Sequence, residues 1–169
     1  MGFKKTSNTL VISSSVTETA ANTFTQSQNS LALDPLNQEV FVIQAINIDV
    51  SEPQSVAGQT TRTAGSVSTT SRTALGSIGD NNVIAVGRDT IVQNAGSITG
   101  DAFSRNANET YQAQGLEYIG IIATDDFFLQ VEGANNTAAG TMAIKIYGFR
   151  AKMDAAGYAA MVQSELLSN

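Results

Sequence analysis

The feature that most constrains this chain is a side-chain period of two. In Glu39–Val50, EVFVIQAINIDV, the residues Ile46, Ile48 and Val50 fall on one face, and Asn47 and Asp49 on the other. Successive strand side chains point to opposite faces, so this alternation marks a strand with one buried side. The pattern returns in Phe127, Leu129 and Val131 against Phe128, Gln130 and Glu132, and in Met142, Ile144 and Ile146 against Lys145 and Tyr147. Ile46, Ile48, Leu129, Val131, Ile144 and Ile146 are therefore predicted to face a core. Further β-type runs lie at 9–15, 24–33, 83–86, 90–92 and 116–122, separated by Ser/Thr/Asn/Gly loops. Asp34-Pro35-Leu36-Asn37 reads as a turn, since a residue before proline is pushed out of regular helix. The loop 133–140, GANNTAAG, predicts a hairpin joining the strands on either side of it.

Residues 54–82 are small and polar, with few bulky apolar side chains. They read as a long surface loop, with one edge strand near 62–72, whose partial deletion should remove little core. A second polar loop, QNAGSITGDAFSRNANET, follows the run at 90–92. After Asp154, a plausible N-cap, the period changes: Tyr158, Met161, Val162 and Leu166 recur at helical spacing. The expected organisation is a β-sandwich domain over 1–153, with the polar loop at 54–82, followed by a short helix and tail over 154–169. The helix stripe must be covered, by its own sandwich or by a neighbour.

The chemistry carried by the sequence is sparse. There is no histidine, cysteine or tryptophan. A serine or threonine nucleophile needs an adjacent base, and Lys4, Lys5, Lys145 and Lys152 sit in no Ser-x-x-Lys context. The expectation is a non-enzyme with no catalytic residues and no cofactor. Asp125-Asp126 is the one acidic doublet and a weak Ca²⁺ candidate; no third ligand stands at motif spacing, which favours a solvated turn. With 9 basic and 15 acidic residues the formal charge is −6, and only Lys4 and Lys5 form a basic pair, so no direct nucleic-acid binding is expected. Asn108-Glu109-Thr110 and Asn135-Asn136-Thr137 match glycosylation sequons, read as accidental in an Asn/Thr-rich chain. Leu10, Val11 and Ile12 are too short an apolar run for a signal-peptide core, so use without Sec-type secretion is expected. Met1-Gly2-Phe3-Lys4-Lys5-Thr6 matches an N-myristoylation pattern, which keeps a membrane contact open.

About eight short strands in one cysteine-free domain fit an all-β, two-sheet sandwich. The segment GLEYIGIIATDDFFLQVEGANNTAAGTMAIKIYGFRAKM, followed by DAAGYAAMVQSEL, resembles the last strands and terminal helix of the single jelly-roll capsid proteins of tailless icosahedral viruses. The resemblance covers the last third of the chain and reaches the rest by strand count. It implies a single jelly-roll-like sandwich of about eight antiparallel strands with a short C-terminal helix. It also implies a shell subunit located in the virion, whose partners are other copies of itself and other virion proteins. The basic arm of many RNA-packaging shells is missing, which leaves genome containment to an internal membrane or another protein. The competing expectations are a virion decoration, spike or filament subunit, and a carbohydrate-binding β-sandwich.

Overall fold

The computed structural model describes residues 2–93, 102–106, 109–111 and 117–167, the last group but one by backbone alone. The strands are β1 (Phe3–Lys5), β2 (Leu10–Thr17), β3 (Thr25–Ser30), β4 (Glu39–Val50), β5 (Thr60–Ser68), β6 (Val83–Val92), β7 (Ala102–Arg105), β8 (Glu109–Tyr111), β9 (Gly120–Ile122), β10 (Asp126–Ala134) and β11 (Thr141–Met153). Helix α1 (Ala155–Leu167) follows. In the first sheet β11 pairs with β4; β1 and β2 share the other side of β11, and β8 and β9 share the other side of β4. The second sheet runs β3-β10-β5-β6-β7. Every pair is antiparallel. The pairings nest: β2 with β11, β3 with β10, β4 with β9, β5 with β6. A long hairpin rolled onto itself gives this nesting, and it is the winding of a jelly roll. The expected all-β, single jelly-roll-like sandwich with a short C-terminal helix is the observed fold.

Three local expectations are corrected. β10 and β11 are not a hairpin. β10 pairs with β3 and β5 in one sheet, while β11 pairs with β2 and β4 in the other, so 133–140 arches between sheets. Alternation assigns each strand its buried face but not its partner. Nor is 54–82 mainly a surface loop. β5 is a central strand between β10 and β6, with Thr61, Thr63 and Val67 buried towards the core. Its other face carries Ser66 and Ser68, also fully buried, because 69–82 folds back over them. Burial of such small polar groups is tolerated only when they are hydrogen-bonded. Here Gly76 N donates to Ser66 Oγ (2.9 Å), Ser66 Oγ to Gln130 Oε1 (2.8 Å), and Gln130 Nε2 to Ser68 Oγ (2.7 Å) and Gln26 Oε1 (3.0 Å). Arg72 locks the flap: its guanidinium meets Asp80 Oδ2 and Asn82 Oδ1, each at 2.7 Å, and its backbone N–H donates to Gln26 Oε1 at 2.8 Å. Deletion within 54–82 would therefore remove core. The second polar loop also contains strand, β7 and β8.

The six residues predicted to face inward are all buried, none more than 4% exposed. They join Phe41, Ile43, Ile122, Phe127 and Met142 between the sheets. In β4 the face changes midway. Tyr147 pairs with Ala45 but Gly148 with Ile43, so Gln44 is a bulge residue. Beyond it Phe41 and Ile43 point into the sandwich and Val40 and Val42 point out, which is why the run VFVI is apolar throughout. A Cβ on Gly148 would stand 2.4 Å from the Val42 carbonyl oxygen and 2.6 Å from the Phe41 ring, so only glycine fits under the bulge. The outward apolar patch of Val40, Val42, Phe149, Ala151 and Met153 is covered by α1 through Tyr158, Met161 and Val162. Asp154 caps the helix, accepting from Gly157 N at 2.7 Å. The stripe thus packs on its own sandwich except for Leu166, which is 62% exposed.

Candidate functional site

The acidic doublet lies where β10 begins. Asp125 Oδ1 accepts from Leu33 N at 2.6 Å, and its carbonyl accepts from Leu31 N at 2.7 Å. Asp126 Oδ2 accepts from Gln28 Nε2 at 2.6 Å. The two carboxylates therefore point to separate partners and tie the end of β3 and its following loop to β10. Among the described residues no group of three or more metal-type side chains converges.

Three buried acidic groups that the sequence did not single out hold the fold. Glu18, 4% exposed, receives Thr23 N (2.9 Å) and Gly133 N (2.6 Å) on Oε1 and Gly140 N (2.6 Å) on Oε2. It joins the β2–β3 turn to both ends of the arch 133–140. Asn22, at φ 61°, reinforces the junction by exchanging two hydrogen bonds with the Asn136 backbone. Asp89, fully buried, is held by Arg105 across β6 and β7, with contacts of 2.6 and 3.1 Å. Glu165 on α1 receives Ala123 N and Thr124 N, both at 2.9 Å. Its pKa is raised, because burial outweighs those hydrogen bonds. Nothing in SVTETAANT or MVQSELL marks these carboxylates as buried. Each is satisfied by backbone N–H groups or a charge far away in sequence.

Two surface features remain. An open groove of about 960 Å³ crosses the outer face of the first sheet, lined among others by Ser13, Ser15, Asn47, Asp49, Lys145 and Arg105. The second feature is a flank of the sandwich. Among the described residues β2 pairs only with β11, and β3 only with β10, so both carry an edge with no partner strand there, on the same side of the molecule. Ser14 Oγ, donating to Asn29 Oδ1 at 2.5 Å, joins the two edges. On β2 the side chains of Leu10 and Val11 are 40% and 55% exposed.

The other sequence candidates are dispersed. Gly2 is exposed with open space around it, just before β1 pairs with β11. Asn135 is exposed but donates to the Thr60 carbonyl at 2.9 Å. Asn108 lies outside the described residues. No helix among the described residues is long and apolar enough to cross a membrane. No protein-family model matches the chain, and no curated protein matches its sequence.

Proposed function

We propose that the protein is a self-assembling structural subunit, a capsid protein that builds the shell of a viral particle. The observation that supports this reading best is the nested jelly-roll winding, with its loops pinned by buried carboxylates at Glu18, Asp89 and Glu165. A shell subunit has to present the same surface in every copy, and satisfied buried polar groups fix loop geometry in that way. The partners are other copies of the chain and other virion proteins, and no cofactor enters. The formal charge of −6 fits a shell that leaves its genome to another component. Electron microscopy of the purified protein tests the reading. Closed particles of uniform size are the expected result. Open helical filaments, or a species that stays monomeric across pH and salt, would overturn it.

One observation favours a second reading. The groove over Ser13, Asn47, Asp49 and Lys145 offers donors and acceptors beside apolar surface, as a sugar needs, which suits a carbohydrate-binding module. Titration with glycans by calorimetry separates the two. Binding by a monomer, abolished by Asn47→Ala, would favour the module over the shell.

A further inference from the structure

We infer that β2 is a homotypic docking edge, pairing antiparallel with β2 of a second copy across a two-fold axis at Ser13. The inference deepens the assembly reading above and rests on it. It begins from how free sheet edges are normally protected. An unpaired edge is a template for another strand, and monomeric proteins blunt it with short strands, lysine, proline or a bulge. Among the described residues the other edges except β3 carry such devices. β1 has three residues, two of them lysines; β8 and β9 have three residues each; β7 has four and ends in the ion-paired Arg105. β2 has eight residues, LVISSSVT, with no charge, no proline and an unbroken register against β11. Among the described residues no backbone group is hydrogen-bonded to its outer side.

The absence of charge points to a second copy rather than an unrelated strand. A two-fold contact sets a surface against itself, so any charge on it meets its own like. Residues 7–17, SNTLVISSSVT, contain none, in a chain where 14% of residues are charged. The neighbouring free edge, β3 with sequence TQSQNS, is neutral too.

The faces restrict the register. Val11, Ser13, Ser15 and Thr17 point to the outer face of the sheet, and Leu10, Ile12, Ser14 and Val16 towards the core. Antiparallel partners share a face, so only registers matching odd with odd and even with even are allowed. With Ser13 opposite its own copy, Leu10 meets Val16, Ile12 meets Ser14 and Val11 meets Ser15. Leu10 and Val11 are thereby covered by apolar or small side chains. Centring on Ser14 instead would set Leu10 against Glu18. The Ser13 register joins the first sheets of two copies into one continuous sheet.

The chain has no cysteine, so a single introduced thiol gives an unambiguous readout. Self-paired residues in an antiparallel ladder lie about 4.5–5.5 Å apart at Cα, within disulfide range. Ser13→Cys is expected to cross-link under mild oxidation on the order of 100-fold faster than Leu36→Cys or Ile78→Cys. Paired thiols meet at roughly millimolar effective concentration, against about 10 µM in bulk. The control sites are 88% and 69% exposed. Ser13→Lys and Ser13→Asp should each keep the subunit's melt and lose dimers by sedimentation, and mixing the two should restore them. Cross-linking no faster than the controls, or Ser13→Lys assembling like the parent, overturns the docking edge. Particles that persist in that case leave the shell reading standing. Cross-linked dimers without particles support the edge and discard the shell.

Discussion

Replacing Glu18 with alanine should loosen one whole end of the sandwich. Its carboxylate accepts three backbone N–H groups, from Thr23, Gly133 and Gly140, at 2.9, 2.6 and 2.6 Å, and is 4% exposed. A hydrogen bond to a charged group contributes about 1.5–3 kcal/mol net, so three together are worth about 4–9 kcal/mol. The vacated space admits water, which can satisfy part of what is left and pulls the loss to the low end, about 4 kcal/mol. For a domain of this length that is roughly 8–16 °C in Tm. Glu18→Gln should lie between the parent and Glu18→Ala. Its oxygen can keep the two bonds on one side, while its amide sets a donor against the Gly140 N–H. Urea melts at fixed protein concentration give the free energies, and amide exchange gives the location. Protection should fall first at Thr23, Gly133 and Gly140, before the β4 and β11 core. A loss under 1 kcal/mol for Glu18→Ala, or uniform loss of protection, would refute the claim that this carboxylate pins the loops.

Arg72→Met removes the contacts to Asp80 and Asn82 and should release the flap over Ser66 and Ser68. The expected cost is about 1–3 kcal/mol, with faster limited proteolysis within 69–82; cleavage at the parental rate would show that the flap is held by other contacts. The raised pKa of Glu165 has a definite sign: a group that binds its proton more tightly when folded adds stability below its unfolded pKa, and loses it as pH rises through the folded value. The stability difference between the parent and Glu165→Ala should therefore be larger at pH 4 than at pH 8 in urea melts, and a difference that grows with pH would contradict it.

The parts of this fold that the sequence made legible are those in which a side chain's type alone decides its environment. Ile46, Ile48, Leu129, Val131, Ile144 and Ile146 leave water wherever they are placed, so their alternation sufficed to orient β4, β10 and β11. Asp154 was legible for a similar reason, because a cap bonds to the backbone three residues on. What stayed hidden depends on a distant partner. TTRTAGSVS has the composition of a loop, and it becomes a central strand because Gln130 on β10 and the flap around Gly76 satisfy its serines. Glu18 is charged and therefore reads as solvated, yet three N–H groups, two of them more than a hundred residues away, make its burial tolerable. The bulge at Gln44 left a trace, since it turns alternation into the continuous run VFVI, but such a run fits equally a strand buried on both faces. β2 belongs to both groups. Its alternation was too weak to assign an inner face, because Ser13, Ser14 and Ser15 interrupt it. That same run of serines leaves the edge neutral and unobstructed, so the feature that blurred the strand in the sequence is the one that lets a second copy approach it.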